Sequence, residues 1–105
     1  MIAKDREIAE KLKERLSEAV RLLDMRVFGS RARETADAYS DMDVFIEVET
    51  LDKEMEDRIY DIAWEVGLEY SIFISPLIFT RYEIEESPLK VSPIVRNIEA
   101  EGVRV

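Results

Sequence analysis

The sequence predicts a small α+β domain, a mixed sheet with helices packed on it. Three observations carry that prediction. Two long segments repeat apolar residues at helical spacing, one segment alternates apolar and polar residues with period two, and a Ser-Pro pair near the end opens a last helix. Their order along the chain is helix, strand, strand, helix, strand, helix, which suits helices laid on a sheet.

Residues 4–23 read as the first helix. Ile8, Leu12, Leu16, Ala19 or Val20, and Leu23 form its apolar stripe, and Lys11, Lys13, Glu14, Arg15 and Glu18 its wet face. Met25-Arg-Val-Phe28 reads as a short strand, broken by Gly29-Ser30. The polar stretch 31–39 has room for a turn of helix. Residues 41–48 form the second strand, with Asp41, Asp43, Phe45 and Glu47 on one face and Met42, Val44, Ile46 and Val48 on the core face. Thr50 or Asp52 caps a second helix over about 52–66, and Gly67 is placed to stop it. Residues 68–75 read as a third strand ending near Pro76. Residues 77–91 carry no clear pattern, although Leu77-Ile78-Phe79 suits a continuation of the strand or a packed loop. Ser92-Pro93 is a helix start, and the last helix runs from 93 to about 101, where Gly102 ends it.

Composition narrows the chemistry. At 105 residues and 12.3 kDa the chain is one domain with an ordinary apolar fraction of 47%, enough for a core but not for a second domain. It has neither cysteine nor histidine. Disulfides, thiolate zinc sites, imidazole ligation and imidazole acid–base catalysis are therefore excluded. Any transfer chemistry has to run on carboxylates, hydroxyls, Lys, Arg or a hard metal ion. The net charge of −9 opposes binding to nucleic acid or an anionic membrane. No apolar run approaches the ~20 residues of a membrane span, and the charged start Met1-Ile-Ala-Lys-Asp5 has no apolar leader, so a cytoplasmic location is expected.

One segment carries chemistry. Asp41 and Asp43, two apart on a strand, project from the same face. Side by side they repel unless a cation lies between them, and oxygen ligands of this kind suit Mg²⁺, which takes one or two carboxylates together with substrate phosphates. Gly29 lets the backbone approach a phosphate closely, and Ser30 adds a hydroxyl and an N–H. The local charge reverses here: residues 21–33 hold four arginines against Asp24 alone, as a polyanion site requires. An Asp-x-Asp pair or a Gly-Ser turn by itself is commonplace. The combination, placed after an apolar strand and at the head of a second, is specific.

Val27-Phe-Gly-Ser-Arg-Ala-Arg33, followed by Ser40-Asp-Met-Asp-Val-Phe-Ile46, resembles the minimal nucleotidyltransferases of the DNA polymerase β superfamily. Ten residues separate Ser30 from Asp41, the spacing of the MNT antitoxins that pair with HEPN ribonuclease toxins. The resemblance implies a small polymerase β-like fold, Mg²⁺ on Asp41 and Asp43, and nucleotide phosphates on Gly29 and Ser30, with Arg31 and Arg33 supplying charge. It also implies transfer of AMP from ATP to a tyrosine of a HEPN-type toxin encoded nearby, in a hetero-oligomer. The alternative is an antitoxin that binds nucleotide and neutralises its partner by binding alone.

Two departures bear on activity. The superfamily usually places a third carboxylate on the strand after the second helix, and its pattern points near Ser71, where no Asp stands. Glu69, two residues earlier on the expected strand, is the candidate to replace it. Glu34 stands where the family often has glycine. Tyr60, Trp64, Tyr70 and Phe73 suit either a base-stacking platform or core and interface packing.

Overall fold

A computed structural model describes all residues from Met1 to Val105. Helix α1 (Ala3–Ala19) leads into strand β1 (Leu22–Phe28), a single helical turn α2 (Ser30–Arg33) and strand β2 (Met42–Val48). Helix α3 (Lys53–Tyr70), strand β3 (Ile74–Thr80) and the short helix α4 (Arg81–Glu85) follow. A 3₁₀ turn (Pro88–Val91), helix α5 (Pro93–Glu101) and the two-residue strand β4 (Val103–Arg104) complete the chain. The four strands form one mixed sheet in the order β3-β2-β1-β4, with β1 antiparallel to both neighbours and β2 parallel to β3.

The period-two pattern of β2 accounts for the larger core. Met42, Val44, Ile46 and Val48 are fully buried on one face of the sheet, where they meet Ile8, Leu12 and Leu16 of α1 and Ile59, Ile62 and Val66 of α3. The opposite face is only partly covered. There Phe45 and Phe79 receive Val95 and Ile98 of α5 and form a second, smaller core. Asp43 and Glu47 flank Phe45 on this face, so α5 seals its middle and leaves both carboxylates at the margins.

Several boundaries differ from those the sequence suggests. Helix α1 ends at Ala19 with Val20 already extended, and Leu22 and Leu23 belong to β1; leucine and valine suit a buried strand as well as a helix face. Helix α3 does not stop at Gly67. It runs to Tyr70 and ends on Ser71 in the left-handed conformation at φ 57°. Gly67 serves a different purpose: a Cβ there would lie 2.6 Å from the Ile72 carbonyl oxygen, where the chain folds back over the last helical turn. The Ile72 N–H closes that turn by donating to the Gly67 carbonyl at 2.9 Å. Strand β3 passes straight through Pro76, which the sheet accepts because β3 is an edge strand. Beyond it, Thr80 and Glu83 form a reciprocal capping box that starts α4. Asp52 caps α3 by accepting the Met55 N–H at 2.8 Å, and Ser92 caps α5, as expected. No helix is long and apolar enough to cross a membrane.

Candidate active site

Gly29 and Asp43 are brought together by the β1–β2 ladder. Phe28 pairs with Asp43, so the residue after Phe28 leaves the sheet beside that carboxylate. Gly29 takes φ 74° and ψ −154°, a conformation open in practice to glycine alone. A Cβ at this position would lie 2.6 Å from Asp43 Oδ2. The glycine is therefore required twice, for its backbone angles and for the space the aspartate occupies. Ser30 then begins α2, whose first amides have no preceding carbonyl to bond to.

Asp41 sits exposed just before β2, and Asp43 is half-buried within it. Burial is the main cause that pushes the Asp43 carboxyl above the ordinary carboxylate range, and the charge of Asp41 adds to it. The Arg33 guanidinium pulls the other way. Two mutually repelling carboxylates beside an open backbone turn are a donor set that fits a hard divalent cation, with substrate oxygens completing its shell. No third acid joins them: the chain contains no group of three or more carboxylates placed to share a metal ion.

The arginines divide. Arg33 stays at the site, half-exposed, and its Nη1 donates to Glu101 at the end of α5 at 3.3 Å. Arg31, expected to supply charge to phosphates, has its guanidinium committed to other partners. Its side chain is buried and fully engaged elsewhere: Nη1 donates to Asp5 Oδ1 at 2.7 Å, while Nε and Nη2 donate to the Ser40 carbonyl at 3.1 and 2.7 Å. On a one-turn helix, residues 31 and 33 point in widely different directions, and Asp5 of α1 captures the inner one. Arg31 thus acts as a strut that fixes the backbone one residue before Asp41.

Glu69 also departs from expectation. It is exposed in the last turn of α3, because the helix continues through it and Ser71–Phe73 must turn before β3 begins at Ile74. Neither Glu69 nor Ser71 therefore lies on the strand beside β2. The residue in register with Asp43 across the parallel ladder is Ser75, which offers a hydroxyl and not a carboxylate. Pairing register is not written in a single strand's sequence, and Ser75 carried no signal of its own. Asp5 had one that was overlooked: an acid inside the first turn of an otherwise amphipathic helix, with a basic cluster to meet. Glu34, in the glycine position of the family pattern, ends α2 at φ 61° and ψ 32°, a left-handed conformation that explains why glycine suits this place.

A Gly-Ser turn packed against an aspartate pair, at the head of a four-stranded mixed sheet backed by helices, defines a domain of the polymerase β-like nucleotidyltransferase fold. The chain belongs to the nucleotidyltransferase domain family, whose model matches residues 6–105. Two solved structures share the fold. One is a toxin–antitoxin with AMP-PNP, at TM-score 0.64 and 17% identity, covering 91% of this chain and 70% of that one. The other is a mutant of the MntA–HpeT toxin–antitoxin, at TM-score 0.56 and 15% identity, covering 99% and 71%. No curated protein matches the chain.

Proposed function

We propose that this nucleotidyltransferase domain is the antitoxin of a toxin–antitoxin pair, and that it transfers AMP from ATP to a tyrosine of a HEPN-type ribonuclease toxin encoded beside it. The observation that carries the reading is the packing of Gly29 against Asp43, with Asp41 two residues away: an open backbone turn and two carboxylates at one point. In this reading Asp41 and Asp43 would hold Mg²⁺, a Lewis acid that would supply charge neutralisation at the triphosphate. Gly29 and Ser30 receive the phosphates through backbone N–H groups and the serine hydroxyl. Arg33 adds positive charge where negative charge develops during transfer. The similarity to two toxin–antitoxin structures, one of them with an ATP analogue, supports the choice of partner and nucleotide.

A second reading has one observation in its favour. The hydroxyl of Ser75 in register with Asp43, and the lack of any third acid, suit an antitoxin that neutralises by binding alone. The intact mass of the partner after co-expression separates the two, with an Asp41→Asn, Asp43→Asn chain as control. Added AMP mass with the parental chain only is the expected result. A partner that stays unmodified yet is still silenced establishes the binding-only antitoxin.

A further inference from the structure

Three of the four aromatic residues singled out in the sequence, Tyr60, Trp64 and Phe73, are exposed, while Tyr70 packs against the core. Tyr60, Trp64 and Leu68 line the outer face of α3 at four-residue spacing, 46%, 58% and 62% exposed, and Phe73 follows in the turn at 53%. Trp64 and Phe73 meet edge to face with centroids 6.5 Å apart. Tyr70 stands apart from them, half-buried under the Lys4 ammonium at 5.1 Å. Beside the stripe runs a groove of about 700 Å³ that extends from Tyr60 along the open edge of β3 to Ser75. A contiguous apolar patch of this kind on a chain with 37% charged residues marks an interaction surface.

Two features identify the occupant. The first is charge. Helix α3 carries six acidic residues against Lys53 and Arg58, and Asp57, Asp61 and Glu65 form a row one step round the helix from the apolar stripe. Lys53 and Arg15 pair with Asp57 and Glu65, while Asp61 and Glu69 form no ion pair. A partner with basic residues flanking apolar ones complements this face. The second is position. The β3 end of the groove is lined by Ser75 and Pro76, and Ser75 lies one strand spacing, roughly 5 Å, from Asp43 across the ladder.

We infer that the α3–β3 groove docks a basic, amphipathic segment of the protein that accepts the nucleotide, and so delivers the acceptor hydroxyl to Asp43 over the β3 edge. This rests on the transfer reading given above for its acceptor, but the docking itself does not require that transfer occurs. Trp64 is the only tryptophan, so its fluorescence reports the groove directly.

The test titrates the full chain with the protein encoded in the adjacent reading frame and follows Trp64 emission, with partner mass read in parallel. Leu68→Glu and Phe73→Ala retain the reporter, and their folding is checked by thermal melts. Docking predicts a blue shift on binding and at least about tenfold weaker binding for each variant, with weaker binding at higher salt. Parental-strength binding by both folded variants overturns the docking groove, whether or not AMP is transferred. A blue shift without AMP transfer keeps the groove and removes the transfer reading. A shift produced by ATP alone makes the patch a base platform, and a shift that follows the chain's own concentration makes it a self-association face; either overturns the inference, as does a partner that fails to bind the parental chain.

Discussion

Replacing Gly29 with alanine should damage the fold and the site through the same atom. The backbone at φ 74°, ψ −154° lies in a region that costs a non-glycine residue about 1–3 kcal/mol. Alanine regains about 0.4–1 kcal/mol by restricting the unfolded chain, which leaves a net loss of roughly 1–2 kcal/mol. For a domain of this size that corresponds to a melting temperature lower by about 4–16 °C. The new Cβ, 2.6 Å from Asp43 Oδ2, also forces the carboxylate aside. A displacement on the order of 1 Å in a reacting group costs about 10²-fold in rate. The assay is a pair of melts, Gly29→Ala in the parental background and again in Asp43→Ala. With the carboxylate removed, the contact is relieved and only backbone strain remains, so the penalty should shrink by about 0.5 kcal/mol or more. Equal penalties in the two backgrounds would refute the steric coupling of Gly29 to Asp43. No penalty in either would refute the backbone geometry itself.

Three further outcomes follow from contacts elsewhere. Burial raises the Glu47 carboxyl above its usual range, against the opposing pull of Arg81, so the protonated form is favoured by folding; the stability this brings is present at low pH and is lost as pH rises through the folded-state value. Glu47→Gln should accordingly melt higher than the parental chain at neutral pH, with the difference fading as pH drops below the ordinary carboxylate range. Arg31→Ala leaves Asp5 buried without its partner, and urea unfolding should show a loss of about 3–5 kcal/mol with the Asp41 segment loosened in amide exchange. Ser75→Asp supplies a third carboxylate in register with Asp43, and calorimetry should find Mn²⁺ bound about tenfold more tightly, with a lower melt when no metal is added.

The parts of the structure governed by local patterns were legible in the sequence. The alternation of Met42, Val44, Ile46 and Val48 located β2 and its buried face, and Asp52 and Ser92 located two helix starts, because each rule acts over a few residues. The closeness of Gly29 to Asp43 was foreshadowed in the sequence, since a glycine after an apolar strand and paired carboxylates announce unusual demands. What failed depended on partners distant in the chain. Glu69 was placed on a strand because nothing within 68–75 reveals that α3 overrides Gly67 and ends on Ser71. Arg31 was assigned to phosphates because Asp5, which captures it, lies 26 positions earlier. The continuation of strand β3 through Leu77-Ile78-Phe79, one of two readings left open beyond Pro76, holds because an edge position, which makes proline harmless, belongs to the sheet and not to the strand. The capping box at Thr80 and Glu83 is a local signal, a threonine followed three residues later by a glutamate.

The strut from Arg31 to the Ser40 carbonyl bears on how such a domain tolerates change. Between Glu34 and Tyr39 the chain is held mainly to itself, with Asp37 taking the Tyr39 N–H at 2.8 Å and exchanging contacts with the Ser40 side chain. The point where Asp41 starts is set by the guanidinium from below, not by the length of this loop. The loop is thereby insulated from the carboxylates: it is a stretch where insertions can accumulate while Asp41 and Asp43 stay in place.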